Sequence, residues 1–324
     1  MAGAHREQAI LRCLSPMGST PPAVKVNSLS YLKSGYAAIF GSPNVGKSTL
    51  LNRLVGQKLS GVSSKPQTTR GPVRGIVTTP RGQIVFVDTA GWHDPRDPLG
   101  RWMIHEVRKA LEGIDLLIWM VLPKYLDKQT DNILKLLKEL KVPVILVINQ
   151  VDRYPKPHIL PVIAQMSTLY DFREIIPISA KTGDQVDLLL EKTYDTLPEG
   201  PPHFDSDQIS DQKERTLVEE IIREKLFQLT EQEIPYATAV MVESFKERED
   251  GIIEIEATVV VEKESQKAIV IGKKGQMMKT VGQLARRDIE ALIGKRVYLK
   301  LWAKVMHDWK RDGDALRKLG YGDE

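Results

Sequence analysis

Only one cysteine, Cys13, occurs in the 324 residues, which excludes an intramolecular disulfide and any cysteine-based metal cluster. A reducing, cytoplasmic setting is expected. No apolar run approaches the ~20 residues a membrane-spanning helix needs. The first stretch, Met1 to Ser30, mixes Ala, Ser, Pro and basic residues without a sustained apolar core, which argues against a secretory signal. Residues 1–32 read instead as a disordered N-terminal extension, with Met1 and Met17 both open as the start. The remainder is ordinary for a globular chain, with 42% hydrophobic and 27% charged residues, and the length suits two domains.

Against this plain background one segment stands out. Gly41-Ser42-Pro43-Asn44-Val45-Gly46-Lys47-Ser48 is a complete G-x-x-x-x-G-K-[ST] pattern, with Thr49 behind it. The apolar run Tyr36 to Phe40 leads into it and a helical pattern from Ser48 to Val55 follows. Strand, glycine turn and helix together form a phosphate cradle, whose backbone N–H groups and helix N-terminus attract anionic oxygens. Lys47 would reach the β- and γ-phosphates, and the Ser48 hydroxyl would bind Mg²⁺. A surface glycine turn, the bland alternative, leaves the flanking strand and helix unexplained.

Three more segments close apolar runs. The run Gln83 to Val87 ends in Asp88-Thr89-Ala90-Gly91, where a carboxylate at the strand end can hold Mg²⁺ through water and Gly91 can offer its N–H to a γ-phosphate. The run Val142 to Ile148 ends in Asn149-Gln150-Val151-Asp152, and Ile175 to Ile178 runs into Ser179-Ala180-Lys181. This order resembles the G-box set of the translation-factor-like GTPases. The resemblance implies that Asp152 reads guanine N1 and N2 and so rejects adenine. Gln150 departs from the usual lysine and covers less of the base. Thr69 is the switch I candidate to close over Mg²⁺, with Thr68 competing. The expected metal set is thus Ser48, Thr69 and Asp88, and the expected catalytic set is Lys47, Thr69 and Gly91. Trp92 holds the position at which Ras-like enzymes carry a water-orienting glutamine. His93 is read as a solvated loop residue in preference to a substitute. Asn44 is a candidate ligand for K⁺, as in the potassium-activated GTPases that resemble this chain; a tolerated loop conformation is the competing account.

The composition changes after the helical pattern that ends near Leu197. Residues 198–212 carry the breakers of a linker. Beyond them, Thr216 to Leu229 is helical, Pro235 to Phe245 and Ile252 to Val261 alternate as strands, and a short helix spans Ser265 to Ile271. Ile271-Gly272-Lys273-Lys274-Gly275 follows, then a longer helix and a strand from Arg296 to Val305. That order resembles a type II K-homology (KH) domain, whose G-x-x-G turn packs on a sugar-phosphate backbone. Ile269 and Ile271 are candidates to floor its groove. Glu262 to Arg311 holds 13 basic and 5 acidic residues, whereas the rest of the chain holds 33 and 37. The net charge of +4 conceals a basic module on a slightly acidic one, a footprint suited to nucleic acid.

The expected fold is therefore an α/β P-loop GTPase domain over 33–197, with a mostly parallel sheet and helices on both faces, and an α+β type II KH domain over 213–324. From Tyr36 to Arg311 this combination resembles the Era family of bacterial ribosome-assembly GTPases, supported by Gln67-Thr68-Thr69-Arg70, Asp88 to His93 and Leu197-Pro198-Glu199-Gly200. The resemblance implies GTP hydrolysis and binding to the 3′ end of 16S ribosomal RNA. It also implies maturation of the small ribosomal subunit and peripheral contact with the inner membrane. No DNA partner is expected. The alternative is an RNA-binding scaffold with little or no turnover. A tRNA-modifying GTPase is disfavoured by the missing C-terminal cysteine motif, and a double-GTPase assembly factor by the single phosphate loop.

Overall fold

The computed structural model describes residues 32–124 and 129–322; the N-terminal extension up to residue 31 lies outside them. Six strands, β1 (Lys33–Phe40), β2 (Val73–Thr79), β3 (Gly82–Asp88), β4 (Leu116–Val121), β5 (Val144–Ile148) and β6 (Glu174–Pro177), form one sheet in the order β2-β3-β1-β4-β5-β6. Only β2 runs antiparallel to its neighbour. The central strands β3 and β5 are buried throughout, as expected for strands covered on both faces. Five helices cover them: α1 (Lys47–Val55), α2 (Pro98–Ala110), α3 (Thr130–Leu140), α4 (Lys156–Leu169) and α5 (Val186–Thr196).

The chain steps from β1 outward to β3 and then returns to add β4, β5 and β6 on the other side. That reversal opens a crevice at the carboxyl ends of the strands, where ligands of such sheets bind. The register pairs Ile39 with Asp88, so the segments starting at Gly41 and at Thr89 leave the sheet on neighbouring strands.

The second module runs α6 (Glu214–Leu229), α7 (Ile234–Ala237), β7 (Ala239–Glu247), β8 (Ile253–Val261), α8 (Glu264–Ile271), α9 (Gln276–Ile293), β9 (Val297–Val305) and α10 (Gly313–Lys318). Its sheet is β7-β8-β9, with β8 and β9 parallel. The strand expected from Pro235 begins instead at Ala239. Pro235 lies in the first turn of α7, where its missing N–H costs nothing. Helix α10, six residues long, is too short to show a sequence periodicity. Residues 198–212, read as a linker, are pinned to the sheet: Ile209 is buried and its carbonyl accepts from Ile76 N (2.8 Å), while Ser210 Oγ donates to Arg74 O (2.6 Å).

Candidate functional site

A cavity of about 350 Å³ opens at the crevice. Pro43, Asn44, Gly46, Lys47, Ser48 and Thr49 form its floor, Thr89 and Gly91 one wall, and Gln150 the far end. Residues 61–65 and 67–69 of the loop after α1 arch over it. Of the remaining expected residues, Gly41 and Ser42 act from behind, their carbonyls each accepting from Lys47 Nζ at 3.0 Å. Val45 and Ala90 are buried in the apolar core, so only their backbones can serve a ligand. Burial pushes the Lys47 ammonium down to about 8, against the pull of Asp88. The same burial raises Asp88. Gly91 has to be glycine, because a Cβ there would lie 2.7 Å from Pro43 Cα.

Ser48, Thr69 and Asp88 do converge. Ser48 Oγ donates to Asp88 Oδ2 (2.7 Å) and lies 2.9 Å from Thr69 Oγ1. Thr68 turns away, bonded to Ser63 Oγ and Lys65 O. Both threonines are buried, so neither is an ordinary solvated loop residue. Ser60, missed in the sequence, joins them: its hydroxyl donates to Asp88 Oδ2 at 2.8 Å, and its backbone is fixed by Asn52. A lone serine in a polar loop carries no pattern that would have singled it out.

Trp92 is buried against Phe40, its backbone N–H donates to Gly41 O (3.1 Å), and its side chain does not line the cavity. His93 is not a solvated loop residue. Its Nδ1 lies 2.7 Å from Gly91 O, its Nε2 is buried without a partner among the described residues, and it does not line the cavity.

Toward the other end, Asn149 staples two loops together, donating to Val45 O (2.7 Å) and accepting from Ala180 N (2.9 Å). Ser179 donates to Asp152 at 2.7 Å. Arg53 Nε donates to Ala180 O (2.6 Å), and its guanidinium also bonds Lys181 O. Gln150 has a left-handed backbone (φ 67°) and reaches Asn44 O at 3.3 Å. Asn44 is also left-handed (φ 62°), and its amide nitrogen donates to Ser64 O (2.7 Å).

In the second module a groove of about 630 Å³ runs between α9 and β9. Ile271 and Gly275 line it; Ile269 is exposed and does not. Lys273 and Lys274 are exposed on the single 3₁₀ turn that links α8 to α9. Gly272 lets that turn close, since a Cβ would meet Met277 Cβ at 2.6 Å. Exposed Tyr298 and Trp302 face the groove from β9, and the Arg248 guanidinium sits 4.7 Å from the Tyr298 ring centre.

The loop that arches over the cavity also rests on the second module. Lys65 Nζ donates to Phe227 O (2.6 Å) and bonds Thr230 O at the carboxyl end of α6. Val62 N donates to Glu224 Oε1 (3.2 Å), and Lys58 pairs with Glu224 and Asp288. These contacts explain why α6 is buried on more than one face.

Sequence and fold comparisons agree with this geometry. The family model for a 50S ribosome-binding GTPase matches residues 36–150, and that for a KH domain matches residues 233–310. GTPase Era of Ruminiclostridium cellulolyticum is 44% identical over 294 residues, 90% of this chain and 98% of that one. GTPase Era of Geobacter metallireducens is 48% identical over 291 residues, 89% and 98% of the two chains. A crystal structure of an Aquifex aeolicus Era variant bound to GDP·AlF₄⁻ superposes with a TM-score of 0.87 at 39% identity, covering 90% of this chain and all of that one. Era in complex with MgGDPNP and nucleotides 1506–1542 of 16S ribosomal RNA gives the same TM-score, identity and coverage. Identity at this level over both modules places the chain in the Era family of GTPases.

Proposed function

We propose that this GTPase is a molecular switch that binds the 3′ end of 16S ribosomal RNA and assists maturation of the small ribosomal subunit. The observation that carries the proposal is the likeness, across both modules, to the Era solved with MgGDPNP and 16S nucleotides. The family model's description names the 50S particle, but it covers only the first module and says nothing of the groove.

In this reading GTP lies in the cavity with its phosphates on the backbone N–H groups of residues 44–49. Lys47 leaves its two carbonyls to meet the β- and γ-phosphates, and Gly91 offers its N–H to the γ-phosphate. Asp152 reads the guanine edge, and Asn149 with Ser179, Ala180 and Lys181 holds that loop in place. Gln150 covers the ring less fully than a lysine. The site fits Mg²⁺, since two hydroxyls gather at a buried carboxylate whose Oδ1 has no partner among the described residues, an oxygen-only set suited to a hard cation. Mg²⁺ there would neutralise charge on the β- and γ-oxygens. Neither Trp92 nor His93 lines the cavity, so in this reading hydrolysis rests on electrostatic stabilisation. K⁺ held by Asn44 would add to it.

The G-x-x-G turn would receive the RNA backbone, with Tyr298 and Trp302 available to stack on splayed bases. Peripheral contact with the inner membrane rests on the family resemblance alone. Among the described residues no helix is long and apolar enough to cross a bilayer. Crosslinking the protein in cells and sequencing the captured RNA tests the proposal. Enrichment of the 16S 3′ end is expected; its absence from the captured pool would overturn the assignment.

A further inference from the structure

Arg70 follows Thr69 directly, yet its side chain belongs to the other module's environment. It is fully buried, 5.6 Å from the ring centre of Trp309 and 5.2 Å from that of Tyr321. Its Nη1 donates to Tyr321 Oη (3.1 Å), and among the described residues Nε and Nη2 are buried without partners. The box is firmly built. Trp309 is fully buried, donates to Ala237 O (3.0 Å) and stacks on Tyr321 at an interplanar angle of 29°. Tyr321 in turn meets Trp102 of α2 edge-on, 5.3 Å between centres. A segment beyond the last strand of the KH module therefore touches both the loop that carries Thr69 and the helix that follows Gly91.

A buried cation that served only to rivet two modules would be expected to carry a carboxylate partner. Glu220, the neighbouring acid, is instead paired with Arg223. Aromatic faces offset part of the lost hydration of Arg70, but two of its donor nitrogens remain unmet. Such a contact is readily reversible, because water satisfies those donors as soon as the box opens. It is also tightly geared, since consecutive Cα atoms lie ~3.8 Å apart and Arg70 cannot leave without drawing on Thr69. Thr69 Oγ1 sits 2.9 Å from Ser48 Oγ, at the expected metal position.

We propose that Arg70, seated between Trp309 and Tyr321, is a positioning residue for GTP hydrolysis, so that the C-terminal segment of the RNA-binding module holds switch I closed. The coupling is reciprocal by linkage: nucleotide that draws Thr69 inward tightens the box, and displacement of the segment loosens Thr69. This rests on the GTPase reading, which wild-type turnover of GTP tests separately.

The test uses the full-length chain as wild type, Tyr321→Ala, Tyr321→Phe and Trp309→Phe, measuring steady-state GTP hydrolysis, GDP affinity and tryptophan fluorescence. Tyr321→Ala should lower kcat about tenfold or more while GDP affinity stays within about twofold, because GDP makes no demand on Thr69. Tyr321→Phe keeps the ring under the guanidinium and should recover most of the rate. Replacing GDP by a non-hydrolysable GTP analogue with Mg²⁺ should change the fluorescence of wild type, and Trp309→Phe should remove that change. A folded Tyr321→Ala protein with unaltered kcat would overturn the proposal. So would equal loss of kcat and GDP affinity, or a fluorescence response that ignores Trp309. If the alanine variant fails to fold, the Trp309→Phe fluorescence arm still decides.

Discussion

Ser179 donates its hydroxyl to the carboxylate of Asp152 across a 2.7 Å hydrogen bond, joining the loop after β6 to the loop after β5, whose Gln150 lines the far end of the cavity. The bond orients the Asp152 carboxylate, which is otherwise solvent-exposed. A carboxylate so oriented can accept two parallel N–H bonds from guanine, whereas adenine presents no such pair. Asp152→Asn replaces one acceptor by a donor. The preference for GTP over ATP in phosphate release should fall by about 100-fold or more. A variant that keeps the wild-type preference would remove Asp152 from base recognition.

The turn at Gly272 to Gly275 invites a test on the intact chain. Lys273 and Lys274 are exposed, and neither takes part in the contacts between the modules. Changing both to Asp turns +2 into −2 at the backbone-binding edge, a net change of four charges. Binding of a single-stranded oligonucleotide matching the 16S 3′ end should weaken at least about tenfold, and its salt dependence should flatten. GTP hydrolysis without RNA should be unaffected. Unchanged affinity in a fluorescence anisotropy titration would make the turn a mere helix connector. Hydrolysis by the isolated first module is a different matter. From the sequence it is expected to survive, whereas the Lys65, Val62 and Arg70 contacts to the second module predict that it slows.

Glu219 on α6 sets a pH dependence of stability. Burial raises its carboxyl to about 7, opposed by the Val242 N–H that it accepts at 2.8 Å; Glu220 raises it further, while Arg215 and Arg223 lower it. The folded state thus holds a proton that the unfolded chain releases near its ordinary 4.5. Stability should fall as pH rises from about 4.5 to about 7, with at most about 3 kcal/mol lost above that window. Glu219→Gln keeps an acceptor for Val242 and abolishes the titration. In urea denaturation the variant should be about 1–3 kcal/mol more stable than wild type at pH 8 and no more stable near pH 4.5. A constant difference across that range would show that Glu219 does not bind the proton.

Much of the first module was legible because its chemistry is sequential. The phosphate loop, Asp88 to Gly91 and Asn149 to Asp152 each close an apolar strand, and the parallel sheet brings those strand ends together. The second module was legible in element order and charge, apart from α7, where Pro235 opens a helical turn and not a strand, and the short α10. What could not be read is contact between residues far apart in the chain. Ser60 reaches Asp88 only once Asn52 has fixed its loop. Arg70 and Tyr321 are 251 positions apart, and neither carries a periodic or motif signal that points to the other. His93 reads as a solvated histidine because only the fold shows its ring turned back on Gly91.

Asn44 carries the last expectation, and its geometry sharpens the test. Its backbone is left-handed, which asparagine tolerates and alanine does not, so Asn44→Ala removes a side chain and adds strain together. Asn44→Gly removes the side chain without strain. If the residue matters only for its backbone, the glycine variant should hydrolyse GTP like wild type and respond alike to salt. If its amide oxygen holds K⁺ beside the phosphates, wild type should be faster in KCl than in NaCl at equal ionic strength, and both variants should lose that difference. The bond from its amide nitrogen to Ser64 O places the residue where it can join the phosphate loop to the arching loop through such a cation. Equal wild-type rates in the two salts would leave Asn44 as a hydrogen-bonded tether alone, and hydrolysis without a glutamine would then depend on Lys47, Gly91 and Mg²⁺.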